Sequence, residues 1–469
     1  MEIVHIASEF APFAKVGGLG DAVAGLTGAL VEKGHSVEVF LPKYDIIDTS
    51  ILENLRKVDT LLLFEQDEQI TTTLWQASFR GVSLTLVDPD PYFKEGKIYG
   101  NSDDTKAFLF FCKVVAKALS QREKSPDIFH AHDWMTGAAL LFLEKPHEPK
   151  TLFTIHNLKY QGKCAPSYLE HLRLAYDEEV LSDPVNSEDL NLLKGGITFS
   201  DQTTAVSPSY AEEILSPDGG FGLEQFLTQN KTKITGVLNG IDTTYWDPNT
   251  DPSLISTYSA EAPLPGKLAN KRYIQKTLGL TPSDTSPLVV SITRLVPQKG
   301  PDLIEYGIEK CAEIGGQFVL LGSCSDPETE KQFTELKRRF ERDPHIAIHL
   351  GYDEKLSHLL FAASDMFFMP SLFEPCGLTQ MIAMRYGSIP LAHATGGLKD
   401  TIFDPETSKE PNGFLFRVPD NKGVSSVLER AFSLFAEKES WNQLMLRGME
   451  ADLSWNASAS KYLKLYKSK

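Results

Sequence analysis

The feature that most constrains the fold of this chain is an alternation of short apolar segments with longer helical ones. EIVHIAS (residues 2–8) has the composition of a buried strand, and AVAGLTGALVEKG (22–34) is typical of a helix. HSVEVFLP (35–42) predicts a second strand, so one βαβ unit is complete within about 42 residues. Because a crossover of this kind joins parallel strands, the chain begins as an α/β protein.

The same alternation continues along the chain and is interrupted once. Apolar strands without a polar face suit a parallel sheet that helices cover on both sides. Residues 242–285 are rich in turn formers and have little periodicity, which predicts a boundary segment. The sequence therefore predicts two doubly wound α/β domains, over residues 1–241 and 242–451. The other strand segments are VSLTLVD, DIFHAHD, TLFTIHN and TTAVS before the boundary, and PLVVSITRL, QFVLLGS, IAIHLGY and DMFFMPS after it.

Composition limits the classes of partner. Of the 469 residues, 42% are hydrophobic, which is enough for a sizeable core in each domain. A formal net charge of −17 spread along the chain argues against nucleic acid and anionic membranes, and leaves a neutral sugar polymer open. No apolar run approaches about 20 residues, so the sequence predicts no membrane span.

The cysteines indicate a compartment. Five are scattered along the chain without a CxxC pair or zinc spacing, which is typical of free thiols in a reducing environment. The first residues enter a strand pattern at once, so no signal or transit peptide is predicted. We expect a soluble cytoplasmic protein of a bacterium, or a processed plastid protein if the source is a plant.

The stretch AKVGGLGD (14–21) forms the first turn from strand to helix. Glycine lets a backbone approach a ligand closely and adopt positive φ, and a helix that begins near Asp21 offers free N–H groups to an anion. Lys15 adds a positive charge, so a phosphate or diphosphate suits this turn. The pattern is neither GxGxxG nor a Walker loop, and a plain tight turn remains the alternative.

Two cations and an acid follow strands of the second domain. In ITRLVPQKGPDLI, Arg294 and Lys299 lie between a strand and a helix, where ligand sites of α/β sheets form. Arginine binds phosphate through two hydrogen bonds, and lysine neutralises it as a point charge. Glu374 follows the strand DMFFMPS, ahead of a helix predicted to begin near Gly377 or Leu378. Its carboxylate suits sugar hydroxyls, and the helix N-terminus suits a phosphate.

The segment HAHDWMTG contains possible metal ligands. It places His130, His132 and Asp133 after a first-domain strand, with both imidazoles on one face, but the sequence shows no partner set to complete a site. DPD (88–90) is similar to the DxD of metal-dependent sugar transferases, although Pro89 favours a loop. No metal site is therefore predicted.

Seven motifs occur in order along nearly the whole chain, from residue 2 to about residue 456. They are KVGGLGD, HAHDW, IHNLKYQG, AVSPSYAEEI, LNGID, TRLVPQKG and EPCGLTQMIAMRYGSIPLAHATGGLKDT. With this set the chain resembles the family of bacterial glycogen synthases and plant starch synthases. The resemblance implies the GT-B fold, in which two Rossmann-like domains face each other across a deep cleft. It also implies a last helix, here within residues 452–469, that crosses back to the first domain.

The activity that the resemblance implies is glucose transfer from ADP-glucose to the non-reducing end of an α-1,4-glucan, with retention of anomeric configuration and release of ADP. It implies no metal or other cofactor. Two alternatives stay open: a UDP-glucose-dependent GT-B transferase and a non-catalytic glucan-binding scaffold. Many other retaining GT-B enzymes carry a second glutamate eight positions after the first, and here Ile382 stands at that spacing from Glu374.

The resemblance also implies roles for individual residues, which divide into a donor side, a sugar or acceptor side, and a catalytic set. On the donor side, Lys15, Gly17, Gly18, Arg294 and Lys299 contact the diphosphate, Glu374 binds the glucose, Tyr352 stacks on the adenine, and the backbone of Cys376, Gly377, Leu378 and Thr379 completes the pocket. On the sugar and acceptor side are Asp21, Tyr92, Asn157 and Asn239. The catalytic set is Asp133, His156, Glu374, Arg294 and Lys299.

Overall fold

The structure is a computed structural model and describes residues 1–143, 149–173, 176 and 178–468. Its tertiary contacts divide the chain into two units. The first comprises Met1–Gly240 and Trp455–Lys469, and the second comprises Ile241–Ser454. No helix in the described part of the chain combines the length and the apolar character that crossing a membrane requires.

Strands and helices alternate through most of both units. The strands are β1 (Glu2–Ile6), β2 (Ser36–Pro42), β3 (Glu53–Glu65), β4 (Glu68–Phe79), β5 (Val82–Pro89), β6 (Ile128–His132), β7 (Lys150–Ile155), β8 (Lys163–Cys164), β9 (Leu190–Asn191), β10 (Gln202–Ala205), β11 (Ile234–Gly236), β12 (Leu288–Leu295), β13 (Gln317–Cys324), β14 (Ile346–Leu350), β15 (Met366–Met369), β16 (Ile389–His393) and β17 (Phe414–Phe416). The helices are α1 (Gly18–Glu32), α2 (Asp104–Ser120), α3 (Trp134–Leu141), α4 (Ser167–His171), α5 (Glu178–Leu181), α6 (Leu192–Phe199), α7 (Pro208–Glu213), α8 (Pro217–Gly220), α9 (Glu224–Gln229), α10 (Pro263–Thr277), α11 (Pro301–Glu313), α12 (Pro327–Arg339), α13 (Glu354–Ala363), α14 (Thr379–Arg385), α15 (Gly397–Thr401), α16 (Asn421–Ala436), α17 (Lys438–Glu450) and α18 (Trp455–Lys467).

The first unit is built on one twisted sheet with the strand order β11-β10-β7-β6-β1-β2-β5-β4-β3. The central strands β1 and β6 are parallel neighbours, and their apolar side chains are fully buried. This burial explains their continuous apolar sequences, because a parallel strand covered on both faces has no solvated side. The α/β class predicted from the sequence is confirmed for this unit.

One edge of this sheet departs from the predicted parallel pattern. Strand β4 pairs antiparallel with both β3 and β5 in a meander, and β5 is parallel to its other neighbour, β2. Only Gln66 and Asp67 connect β3 to β4, and a link of two residues joins strands only as a hairpin. The sheet of the first unit is therefore mixed rather than fully parallel.

The last helix, α18, belongs to the first unit, and its predicted range of 452–469 is longer than the observed Trp455–Lys467. It packs on α1 at Gly25, where an added Cβ would lie 2.0 Å from Nε1 of Trp455. Ser458 Oγ donates to Leu238 O at 2.6 Å, and Tyr466 OH lies 2.9 Å from His130 Nδ1. The helix thus covers the sheet at β6. Residue 469 lies outside the described residues.

The second unit has a fully parallel sheet of six strands in the order β14-β13-β12-β15-β16-β17. This arrangement confirms the second doubly wound domain. The boundary segment predicted over residues 242–285 is wrong in one respect, because it contains the helix α10 of fifteen residues. Five prolines in this segment, two of them in the first turn of α10, and several aspartates outweighed the helical pattern in the sequence.

Candidate active site

In the first unit, polar residues collect at the carboxyl ends of neighbouring parallel strands. Asp133 follows β6, His156 and Asn157 follow β7, and Asn239 lies in the loop after β11. Because parallel strands end at the same edge of a sheet, these loops share one edge. Asp133 and Asn239 are each only 7% exposed. The structure therefore brings a buried polar group to the place where α/β sheets bind ligands.

Asp133 has an unusual environment. It is the N-cap of α3 with φ 56°, a conformation that only a few per cent of non-glycine residues adopt. Its Oδ1 accepts hydrogen bonds from the backbone N–H of His156 at 2.7 Å and of Asn157 at 3.4 Å. Burial nevertheless raises the pKa of the Asp133 carboxyl to about 7, against the opposing effect of those two bonds. The side chain thus titrates near neutral pH, and it ties the ends of β6 and β7 together.

His156 is the end of a line of imidazoles. Its Nε2 lies 3.0 Å from Nδ1 of His132, and Nε2 of His132 lies 3.0 Å from Nδ1 of His5 in the adjacent strand β1. Burial lowers the pKa of His156 to about 3, so its ring is neutral at physiological pH. The sequence showed no further ligand to complete a site with His130 and His132, and the strand order supplies His5 beside them: one nitrogen each of His5, His130 and His132 lie within 4.8 Å of one another. Both nitrogens of His130 and of His132 already make hydrogen bonds.

The glycine turn is organised by an acid that the sequence reasoning missed. Glu9 is 4% exposed, and its Oε2 accepts hydrogen bonds from the N–H groups of Val16 at 2.7 Å and Gly17 at 3.0 Å. Helix α1 begins at Gly18, three residues before the predicted start, and Gly17 has φ −144° rather than a positive φ. The Gly17 amide is thus occupied by an internal anion. The exposed Gly18 heads the free N-terminal turn of the helix.

Lys15 is paired in this structure. Its Nζ lies 2.8 Å from Asp21 Oδ1, and the two side chains are 45% and 35% exposed. An ion pair this exposed contributes little to stability, about 1 kcal/mol or less. A more highly charged ligand can therefore compete for the ammonium at small cost.

Tyr92 lies in the loop after β5. Its OH donates to Glu65 Oε2 at 2.5 Å, and its ring centroid is 5.4 Å from that of Phe110. Burial and Glu65 raise the pKa of the phenol. With Glu65 and Lys106 it lines a pocket of about 370 Å³. The described contacts of Tyr92 are thus to β3 and α2, and they do not join it to Asp133.

In the second unit, charged groups meet at the carboxyl ends of two adjacent strands. Arg294 is the next-to-last residue of β12. Its side chain is exposed and makes no ion pair with any residue that the structure describes. Lys299 ends the short helical turn that follows. Its ammonium pairs with the carboxylate of Glu374, which follows β15 and is 7% exposed. An exposed cation and a shielded ion pair therefore lie at the carboxyl ends of the same two adjacent strands.

Two glycines after β16 hold the Glu374 loop in place. Gly396 has φ 44°, and a Cβ there would lie 2.0 Å from Glu374 O. A Cβ on Gly397 would lie 2.3 Å from Cys376 O, and the Gly397 N–H donates to Glu374 O at 3.1 Å. The HATGG turn thus requires glycine because the acid-bearing loop passes directly over it.

Substitution of Gly396 by alanine should lower the free energy of unfolding by about 1–3 kcal/mol, since it combines a positive φ with a backbone clash. Urea denaturation measures this loss. Gly279→Ala is the control, because Gly279 has φ 73° but nothing within 4 Å of its Cβ position. Equal losses of unfolding free energy in the two variants would show that the contact with the Glu374 loop does not contribute to stability.

The predicted donor-pocket backbone leads into α14. This helix begins at Thr379, one or two residues after the predicted start, because Gly377 has φ 75° and Leu378 is the N-cap. The Gln380 amide donates to the carbonyls of Cys376 and Gly377, both at 3.1 Å. The carbonyls of the loop are therefore held from within, and the first N–H groups of α14 have no partner inside the helix.

Tyr352 stands apart from this cluster. It follows β14, the edge strand of the sheet, and is 81% exposed. An exposed aromatic ring at the carboxyl end of a sheet suits stacking on a planar ligand.

The sequence patterns did not identify two residues of these sites, Glu9 and His5, although Glu9 has a signal in the sequence. Glu9 is an acid that follows the predicted strand of residues 2–8, the position that singled out Asp133, but it lies outside the seven motifs. His5 lies inside an apolar strand, and only the strand order places it next to His132. Pairing between strands far apart in sequence is not visible in a local pattern.

Comparison with known proteins places these observations in a family. The model of the starch synthase catalytic domain matches residues 2–229, and that of glycosyl transferases group 1 matches residues 279–443. A glycogen synthase of Protochlamydia amoebophila is 43% identical and aligns over 99% of both chains. A probable chloroplastic/amyloplastic starch synthase 4 of Arabidopsis thaliana is 43% identical over 99% of this chain, which spans 46% of that protein.

A solved structure agrees with the sequence relatives. The catalytic domain of starch synthase IV from Arabidopsis thaliana, bound to ADP and acarbose, is 42% identical and superimposes with a TM-score of 0.93. The match covers 99% of this chain and 98% of the other. The chain therefore belongs to the family of glycogen synthases and starch synthases, which are glycosyltransferases with the GT-B fold.

Proposed function

We propose that this protein transfers glucose from ADP-glucose to the non-reducing end of an α-1,4-glucan with retention of anomeric configuration. The observation that carries the proposal is the second-unit cluster, in which exposed Arg294 and the Lys299–Glu374 ion pair share the carboxyl ends of the adjacent strands β12 and β15. A nucleotide sugar offers a diphosphate to the cations and hydroxyl groups to the acid. The relative of known structure that binds ADP and acarbose supports both halves of this reading.

The charge arrangement supports an exchange of partners when donor binds. The diphosphate takes the guanidinium of Arg294 and the ammonium of Lys299, since arginine and lysine are the usual phosphate partners. Glu374 then loses its cation and accepts hydrogen bonds from glucose hydroxyls. The first N–H groups of α14, with the backbone of residues 376–379, complete the donor pocket, and Tyr352 stacks on the adenine.

The first unit contributes a second set of groups. Lys15 leaves Asp21 for the diphosphate, and the amide of Gly18 adds an N–H donor. Gly17 supports this turn through its bond to Glu9, which is a change from the direct role that the sequence implied. On the sugar side we place His156, Asn157 and Asn239 around the transferred glucose. Asp21 and Tyr92 are assigned to the acceptor side.

Retention with these residues favours attack on the same face of the sugar. A double displacement needs a carboxylate on the opposite face as nucleophile. Asp133 is a poor candidate because backbone N–H groups hold its Oδ1. An oxocarbenium-like transition state instead needs negative charge nearby and stabilisation of the leaving diphosphate. Asp133 supplies the first, and Arg294 with Lys299 supplies the second. The departing phosphate takes the proton of the acceptor hydroxyl.

The experiment measures glucose incorporation into glycogen from ADP-glucose and, separately, from UDP-glucose, with and without EDTA. The proposal expects incorporation from ADP-glucose that EDTA does not reduce, because side chains neutralise the diphosphate. Incorporation from UDP-glucose alone would overturn the donor assignment. Incorporation that EDTA abolishes would overturn the metal-free mechanism, and none from either donor would favour a glucan-binding scaffold.

A further inference from the structure

The line of imidazoles that ends at His156 reaches into the middle of the sheet. Nδ1 of His5 faces Nε2 of His132, and Nδ1 of His132 faces Nε2 of His156, each at 3.0 Å. His5 and His132 are 0% and 1% exposed. Every contact in this line joins two nitrogens of neutral rings, because burial lowers the pKa of each of these histidines.

Neutral rings restrict where the protons lie. Each ring carries one N–H, and each of the two contacts needs one donor and one acceptor. If His132 donates from Nδ1, then His5 must donate from Nδ1, and His156 keeps its proton on Nδ1. If His132 donates from Nε2, then His156 must donate from Nε2, and His5 keeps its proton on Nε2. No third arrangement satisfies both contacts.

The inner end of the line decides between the two. Nε2 of His5 is buried and has no hydrogen-bond partner among the described residues. The second arrangement leaves an N–H donor unpaired there, and orphaned buried N–H groups are rarer than under-satisfied acceptors. The first arrangement leaves a lone pair instead. The first is therefore the arrangement that the buried end favours.

We propose that His132 and His5 are positioning residues that fix His156 as the Nδ1–H tautomer, so that its outer nitrogen is a hydrogen-bond donor. This inference rests on the proposed role of His156 beside the transferred glucose. Which nitrogen of a histidine carries the proton is set by the bond that the other nitrogen makes. Nδ1 of His156 has no hydrogen-bond partner in the described part of the protein, so it is free to donate to a sugar oxygen.

Long-range proton–nitrogen correlation spectra of protein with isotope-labelled histidine test the tautomer directly. The signals of His156 are assigned by their absence in His156→Gln. We expect a protonated Nδ1 and an unprotonated Nε2 at His156 in the intact protein. A proton on Nε2, or rapid exchange between the two tautomers, would overturn the proposal. This measurement does not depend on turnover. It therefore distinguishes a failure of the tautomer proposal from a failure of the proposed function.

Variants test whether the line sets the tautomer. His132→Phe should leave His156 as a mixture of tautomers and lower kcat about tenfold, the equivalent of one hydrogen bond, with little change in KM for the donor. His5→Leu should do the same, and His5→Asn, which restores a donor, should recover part of the loss. His130→Gln is the matched control, because His130 stacks on His132 at 4.2 Å but bonds to Thr154 and Tyr466 instead. A His156 tautomer that persists in His132→Phe, or that changes in His130→Gln, would contradict the proposal.

Discussion

Substitution of Arg294 by alanine is expected to lower kcat/KM for ADP-glucose by about 10²–10³-fold, the usual loss when one preorganised charge stabiliser is removed. The free energy of unfolding should stay within about 0.5 kcal/mol of its original value, because the side chain is exposed and makes no ion pair with the described residues. Initial-rate kinetics and urea denaturation of the same preparation measure the two quantities.

A matched control removes the same charge elsewhere in the second unit. Arg342 is exposed after α12, so Arg342→Ala changes the net charge equally without touching the cluster. Its kcat/KM should match that of the unaltered protein. Near-normal turnover of Arg294→Ala would refute the assignment of Arg294 to the leaving diphosphate.

The second large effect concerns Asp133 and the pH dependence of stability. Its folded-state pKa of about 7 lies above the unfolded value of about 3.9. A carboxyl with a raised pKa stabilises the fold fully below its unfolded pKa, and this contribution is lost as the pH rises through the folded pKa. Between about pH 5 and pH 8 the protein should therefore lose about 2–3 kcal/mol through this group. Asp133→Asn should lack this component and be the more stable protein at the higher pH.

The same ionisation should raise activity. An ionised Asp133 stabilises positive charge on the sugar, so kcat/KM should rise with pH to an apparent pKa near 7. Asp133→Asn should lose this limb of the profile and about 10²-fold of the rate. Asp201→Asn is the control, because that carboxylate also accepts a hydrogen bond from a backbone N–H, that of Thr151 at 2.8 Å, but is exposed rather than buried. If the free energy of unfolding of Asp133→Asn kept the pH dependence of the unaltered protein, a group other than Asp133 would be responsible for it.

These two predictions concern positions that the sequence patterns singled out. Asp133, His156 and Glu374 each follow a continuous apolar strand, and Arg294 lies near the end of one. A polar residue at the carboxyl end of such a strand lies at the edge where ligands bind. Local patterns suffice here, because strand and position are read from one short segment. The α/β class of both units follows from the same patterns.

What the sequence did not predict depends on contacts between distant segments. The bonds from Val16 and Gly17 to Glu9 require the turn to fold back on the end of β1. The contact of Tyr92 with Glu65 depends on the antiparallel edge, which a prediction of parallel strands omits. In both cases a polar partner decides what a residue is free to bind, and no spacing rule identifies that partner.

The position of α18 has a consequence for how the protein is made. The chain leaves the ribosome N-terminus first, so the sheet of the first unit emerges before Ile241–Ser454, and the helix that covers it emerges after that segment. Until then Gly25 has no Trp455 against it and His130 lacks the hydroxyl of Tyr466. The nascent first unit therefore lacks these contacts until the whole of Ile241–Ser454 has been synthesised. Ribosome-bound chains that stop before Trp455 should therefore be more open to proteolysis at α1 than the released protein.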